Sequence, residues 1–209
     1  MHYPVIAFIG AGNMSSAIIT GLVKSGYPAE KIIVTNPSAE KRNLLSNKFA
    51  IGTTESNNQA AKEAEVIVLA VKPLLIKQVC EEIKMSVNQQ LIISVAAGKS
   101  IASIKRYLDK DPAVIRAMPN TPSLLSEGVT GLFSDSTSSP TNRDFVTNLF
   151  ENIGKIVWLE NEQQIDIVTA LSGSGPAYYF YLTEALINAG IELGLDVETI
   201  VLEKMRENE

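Results

Sequence analysis

The residues with the clearest chemical potential open the chain. Phe8-Ile9 runs into Gly10-Ala11-Gly12-Asn13-Met14-Ser15. A Gly-x-Gly pair between an apolar run and a helical pattern suits the approach of a diphosphate. Gly10 permits the tight turn, Gly12 lets the ligand reach the backbone, and the helix start offers oriented N–H groups. The third position is Ser15, small enough to keep helix and strand close. A second informative tip follows at Val34-Thr35-Asn36-Pro37-Ser38, with Lys41 and Arg42 just beyond. An acidic residue there would bind a ribose 2′-hydroxyl and repel a 2′-phosphate. None is present, and Asn36 and Ser38 can donate to a phosphate, so the expected cofactor is NADP. Ser38 also suits a helix cap, and the two roles are compatible.

Three further clusters end apolar runs: Ala70-Val71-Lys72-Pro73, Ala96-Ala97-Gly98 and Met118-Pro119-Asn120-Thr121-Pro122. Ligands of open α/β sheets lie beyond the carboxyl ends of strands, and small residues there let a flat cofactor lie close. Each cluster taken singly also reads as an ordinary strand-to-helix turn. Glu162 starts a helical segment, where a carboxylate either complements the helix dipole or serves a site. The glycines of Ser172-Gly173-Ser174-Gly175-Pro176 allow a sharp turn between helices, or an anion site at a helix start.

Other constellations are ruled out. His2 is the only histidine and Cys80 the only cysteine, so a histidine triad, a cysteine metal site or a disulfide within the chain is excluded. Cys80 sits on an apolar helical segment and reads as core. Gly98-Lys99-Ser100 resembles the tail of a P-loop, but Ile93 stands where the first glycine is required. Tyr27 and Lys31 have a dehydrogenase-like spacing, but Pro28 puts them in a turn.

The elements that must position these residues read as an α/β domain. Apolar, β-branched runs at Val5–Ile9, Ile32–Thr35, Val66–Val71, Leu91–Val95 and Val114–Met118 do not alternate with polar residues, as in strands covered on both faces. Val129–Phe133 and Lys155–Leu159 are weaker examples. Helical spacings lie between them, among them Met14, Ala17, Ile18, Gly21 and Leu22, and the set after Ser100. Strand and helix in alternation predict a Rossmann-type, doubly wound parallel sheet over residues 1–160. Residues 161–209 carry helix signals only and read as the start of an all-α domain. Leu182, Ala185, Leu186, Ala189 and Leu193 stripe one face there, and Asp196 caps a last segment that contains Ile200, Val201 and Met205.

The chain has 209 residues, 45% hydrophobic, with a net charge of −5. No cluster of Lys and Arg points to nucleic acid or to an anionic membrane. No apolar run reaches membrane-spanning length, and the start has no signal-peptide pattern. A cytoplasmic setting is expected.

With these residues in hand, the chain resembles the pyrroline-5-carboxylate reductases. The matching stretches are Phe8 to Met14, Val68-Leu69-Ala70-Val71-Lys72-Pro73, Ser94 to Gly98, Met118 to Pro122 with Glu127-Gly128, and Asp166 to Tyr178. The first is shared by many dehydrogenases, whereas the Met118 and Ser172 stretches are far more specific. The resemblance implies NAD(P)H-dependent reduction of the C=N bond of 1-pyrroline-5-carboxylate to L-proline, the last step of proline synthesis. It implies cofactor contacts from Gly10, Ala11, Gly12, Asn13, Met14, Asn36, Asn57, Val71, Lys72 and Ala97. It places Glu162 on the substrate side, where its charge would favour a cationic imine, and Asn120 joins it as a substrate-side candidate.

The resemblance also implies a helical second domain that interlocks with a neighbour, hence a homo-oligomer. Family members continue for several tens of residues, into a Ser-Pro-Gly-Gly-x-Thr loop whose threonine is usually given the catalytic role. Residues 1–209 contain no such loop. The chain is therefore expected to be truncated, with no catalytic residue assigned in it. The alternative function is an NADP-binding fragment without catalysis. A β-hydroxyacid dehydrogenase shares the Rossmann half, but no lysine-and-asparagine helix is found in residues 162–209.

Overall fold

A computed structural model describes residues 3 to 199. The strands are β1 (Ile6–Ile9), β2 (Ile32–Thr35), β3 (Gly52–Thr54), β4 (Val66–Leu69), β5 (Leu91–Ser94), β6 (Val114–Met118), β7 (Gly128–Ser134) and β8 (Gly154–Trp158). The helices are α1 (Asn13–Lys24), α2 (Ala39–Phe49), α3 (Asn57–Glu63), α4 (Ile76–Ile83), α5 (Ile101–Leu108), α6 (Pro140–Glu151), α7 (Gln163–Val168) and α8 (Gly175–Glu192).

All eight strands join one sheet in the order β3-β2-β1-β4-β5-β6-β7-β8. Successive residues of a strand face opposite sides, and β1 shows why the sheet needs helices on both. Ile6 and Phe8 pack with Ile18, Leu22, Val146 and Phe150, which come from α1 and α6. Ala7 and Ile9 pack with Ala60, Ile76, Cys80, Ile83 and Ile104, from α3, α4 and α5. Two cores, one on each face, make the doubly wound arrangement that the non-alternating apolar runs require.

The expected doubly wound parallel sheet is present, with one antiparallel pair within it. β7 runs antiparallel to β6, pairing Ile115 with Ser134 and Met118 with Gly131, while β8 is parallel to β7. Only residues 119–127 join β6 to β7, fewer than the dozen or so that a parallel crossover needs.

Serines cap several helices: Ser38, Ser56, Ser100 and Ser139 accept backbone N–H groups at the starts of α2, α3, α5 and α6. The start of α1 has Gly12 as its cap and no side-chain acceptor.

The chain divides into two compact units, Met1–Gly173 and Ser174–Glu209. The first extends past the boundary expected at residue 160. It includes α7, which packs on β6 and β7 with Ile165 fully buried, and the π-helical turn Thr169–Gly173. The second unit contains α8. Along that helix Tyr178, Tyr179, Phe180, Tyr181 and Leu182 are exposed in the single chain. Asp196 caps the segment that follows, accepting from Thr199 N at 2.9 Å. His2, Ile200, Val201 and Met205 lie outside the described residues.

Candidate cofactor cleft and active site

In an open sheet a ligand crevice opens where successive connections leave in opposite directions. Here that point lies between β1 and β4, which are neighbours in the sheet although β2 and β3 come between them in the chain. A cleft of about 540 Å³ stands there. Gly10, Ala11 and Gly12 line it from the β1–α1 turn, Thr35, Asn36, Pro37 and Lys41 from the end of β2, and Ala70, Val71 and Lys72 from the end of β4. Asn57, Glu55, Leu75, Gln78, Val79 and Glu82 complete the wall.

The glycine turn fits a diphosphate. Gly10 has φ +112°, which L side chains rarely adopt, and a Cβ there would stand 2.4 Å from the Ala70 carbonyl oxygen. At Gly12 a Cβ would meet nothing within 4 Å, so its open side faces space that a ligand can enter. Behind it the first N–H groups of α1 have no side-chain acceptor and point their partial positive charge at the cleft. The buried Ser15 hydroxyl donates to the Gly10 carbonyl at 2.6 Å and fastens the turn from inside. The third glycine of the common motif is thus replaced by a residue that adds a hydrogen bond.

At the end of β2 the side chains divide the work. Asn36 Oδ1 accepts from Ser38 N at 2.9 Å, and Ser38 Oγ accepts from Lys41 N at 3.4 Å, which is the helix-capping role. The Arg42 guanidinium donates to the carbonyls of Asn36 and Pro37, so it braces the turn. Its Nη2 also lies 3.8 Å from Glu55. Lys41 is the cation lining the cleft at this end, and Glu55 brings an acid to the same wall. Across the floor, Thr35 Oγ1 donates to Asn57 Oδ1 at 2.6 Å, and Asn57 Nδ2 donates to Glu82 at 2.9 Å. Asn57 therefore bridges β2, α3 and α4.

The remaining candidates stand elsewhere. Asn13, Met14, Ser38 and Pro73 adjoin cleft residues in the chain without lining the wall. Ala96, Ala97 and Gly98 form the turn from β5 to α5, next along the sheet from β4; Gly98 has φ +64°, and Ala96 N donates to Ser94 Oγ. Asn120 is a brace beyond β6: its Nδ2 donates to Ser172 Oγ at 3.1 Å, and its Oδ1 accepts from Val129 N at 2.9 Å.

Glu162 already has protein partners. Its Oε1 accepts from Ile101 N at 2.7 Å and from Arg116 Nη1 at 3.2 Å. Sequence reasoning missed Arg116, which lies 46 residues away and looks like one polar interruption of an apolar strand. It also missed Glu55, Gln78 and Glu82, which no motif marks.

A doubly wound sheet, an uncapped helix start behind paired glycines and a cleft at the switch point define a nicotinamide-dinucleotide oxidoreductase of the Rossmann class. Comparison with known proteins agrees. Residues 5–98 match the family model described as NADP oxidoreductase coenzyme F420-dependent, and residues 162–201 match the model described as pyrroline-5-carboxylate reductase dimerisation. Pyrroline-5-carboxylate reductase of Pseudomonas aeruginosa is 45% identical over 200 residues, covering 95% of this chain and 73% of the relative. The Haemophilus influenzae protein of that name is 43% identical over the same shares. Among solved structures, a pyrroline-5-carboxylate reductase of Coxiella burnetii superposes with a TM-score of 0.89 at 42% identity, covering 99% of this chain and 77% of that one. The Plasmodium falciparum pyrroline carboxylate reductase with NADP bound gives 0.88 at 30% identity, over 99% and 78%. The chain belongs to the pyrroline-5-carboxylate reductase family.

Proposed function

We propose that this chain binds a reduced nicotinamide dinucleotide in the β1–β4 cleft and serves the reduction of 1-pyrroline-5-carboxylate to L-proline. The carrying observation is the pairing of Gly10 and Gly12 with the uncapped start of α1, in a chain 45% identical to a pyrroline-5-carboxylate reductase. A reduced nicotinamide bound there would supply hydride to the imine carbon, the proton at nitrogen completing the amine. An imine that binds already protonated needs no strong acid from the protein. The residues of this chain bind and orient: Gly10 to Met14 hold the diphosphate, Asn36 and Lys41 the adenosine ribose with Ser38 capping α2 beside them, and Asn57, Ala70, Val71 and Lys72 form the wall between, with Pro73 turning the chain away behind it. The Ala96–Gly98 turn serves the nicotinamide side. Asn120 shapes the substrate side through Ser172, and Glu162 acts through Arg116 and Ile101 rather than by touching substrate.

NADPH is the preferred cofactor in this reading. Support comes from Lys41 and Asn36 on the wall and from the non-acidic tip of β2; Glu55 opposes it from β3's side. A homodimer built through the helical part is proposed from the dimerisation match at residues 162–201 and from the exposed aromatic residues of α8. That part begins, for this purpose, near residue 161. Among the described residues no helix is long and apolar enough to cross a membrane. The cytoplasm is the proposed compartment, consistent with a buried free thiol at Cys80.

The test follows NADPH absorbance on addition of 1-pyrroline-5-carboxylate, with proline measured in parallel. Proline formed in step with NADPH loss, and slower with NADH, is the expected result. NADPH binding without turnover would leave a cofactor-binding chain only, and tighter NADH binding would reverse the preference.

A further inference from the structure

Arg116 stands in the middle of β6 with 3% of its side chain exposed. A guanidinium so deeply buried needs partners, because it stays charged and cannot shed its desolvation cost by losing a proton. Its Nη1 donates to Glu162 Oε1 at 3.2 Å, and its Nη2 lies 3.5 Å from Asp166 Oδ1 without a formed hydrogen bond. Both acids belong to the start of α7, so one buried cation of the sheet fixes where that helix begins.

The same Glu162 oxygen accepts the Ile101 N–H at 2.7 Å. Ile101 is the first residue of α5, where no carbonyl of the helix can serve as acceptor. Ser100, the cap, binds Ser103 N instead. The N-terminus of α5 is therefore held by two acceptors, one local and one reaching over from α7. Two residues before it, across Lys99 and the Ser100 cap, lies Ala96-Ala97-Gly98, turning out of β5. A dinucleotide whose adenosine ribose is recognised at the end of β2 and whose diphosphate lies at Gly10–Gly12 carries its nicotinamide toward the ends of β4 and β5.

We propose that Glu162 is a positioning residue: anchored on Arg116, its carboxylate fixes the N-terminus of α5 and thereby the Ala96–Gly98 turn that receives the nicotinamide half of the cofactor. This rests on the cofactor reading above. A residue acting this way affects ligands that have a nicotinamide and spares ligands that stop at the adenosine. That asymmetry separates it from a residue that merely holds the fold together, and from one that touches substrate.

The experiment is a binding titration of the whole chain with two probes, NADPH and adenosine 2′,5′-bisphosphate. Glu162→Ala is expected to weaken NADPH by about fivefold or more, about 1 kcal/mol, and to leave the bisphosphate unchanged. Glu162→Gln, whose amide oxygen still accepts from Ile101 N, is expected to recover NADPH affinity to within about threefold of the parent. Equal losses for both probes, or no loss for either, overturn the proposal. Failure of the unmutated chain to bind either probe overturns the cofactor reading instead. If Glu162→Ala does not fold, amide hydrogen exchange of the unmutated chain decides: the Ile101 amide is expected to be protected about 100-fold or more, and free exchange there overturns the proposal.

Discussion

A Cβ placed on Gly10 would lie 2.4 Å from the carbonyl oxygen of Ala70, the residue that follows β4. The turn after the first strand and the end of its sheet neighbour thus touch backbone to backbone, and the cleft between them is as narrow as glycine allows. Gly12, two residues on, has nothing within 4 Å of the same construction. The two glycines serve different ends, and substitution separates them. Gly10→Ala combines a disfavoured φ with a clash against main chain, and is expected to cost more than about 2 kcal/mol of stability. Gly12→Ala keeps an ordinary helix-cap backbone and is expected to cost less than about 1 kcal/mol, while weakening NADPH about tenfold or more. Urea unfolding and fluorescence titration of both variants check this.

Ser15→Ala leaves the buried Gly10 carbonyl without its hydroxyl donor, and the expected loss is about 1 kcal/mol. Ser15→Gly should lose as much or more, because glycine also weakens the helix by roughly 0.5–1 kcal/mol relative to alanine. The common third glycine is therefore not an improvement in this chain, and urea midpoints of the two variants measure it.

Lys105 of α5 closes a charged cluster, with Nζ 2.6 Å from Asp111 and 2.8 Å from Asp135. Burial works against its charge, but the hydrogen bonds it donates to Asp111 and Asp135 outweigh it and raise its pKa above 10.5. For Asp135 burial likewise opposes the charge, and the hydrogen bonds from Lys105 and Thr137 prevail, so its pKa falls below 3.8. The lowered acid contributes stability above its unfolded value and loses it as pH falls through the folded value. The raised base contributes fully below its unfolded value and loses it as pH rises through the folded one. Stability from this cluster is expected to be flat between about pH 5 and 9 and to fall outside that range. Lys105→Met should flatten both limbs in urea midpoints measured across pH.

Cys80 is fully buried in α4, and its thiol is pushed up to about 12, by burial first and by the charge of Glu81 second. At pH 8 it is protonated and shielded. A thiol-specific chromogenic reagent is expected to find none in the folded chain and one per chain in denaturant. Rapid labelling of the native protein would contradict this packing.

Glu55 lines the cleft and stands 3.8 Å from Arg42. It is 80% exposed, so its field is screened but reaches the ribose end of the site. Glu55→Gln is expected to tighten NADPH by about two- to fivefold and to leave NADH nearly unchanged. Parallel titrations give the ratio directly.

Much of this fold was legible in the chain. Strands buried on both faces have no polar alternation, so β1, β2, β4, β5 and β6 announce themselves, as do the glycine turn and the Ser38 cap, whereas the caps Ser56 and Ser139 went unread. β3 did not announce itself, because Gly52-Thr53-Thr54 at the sheet edge carries no apolar run. The direction of β7 is invisible in the side chains of Val129–Phe133 and readable only from the short connection before it. The site divides the same way. Gly10, Gly12, Asn36 and Lys72 follow from local rules about strand ends, whereas Glu82 reaches the cleft from another helix with no motif to mark it. For Glu162, the helix start was evident, but its partner Arg116 depends on which strand α7 covers, a tertiary fact.

Crystals of the chain grown with NADPH test the central claim most directly. The predicted result is density for the diphosphate against the N–H groups at Gly12–Met14, with the adenosine ribose beside Asn36 and Lys41 and the nicotinamide toward Ala97. Dinucleotide bound elsewhere on the sheet, or the Gly10–Gly12 cleft left empty at saturating cofactor, would contradict it.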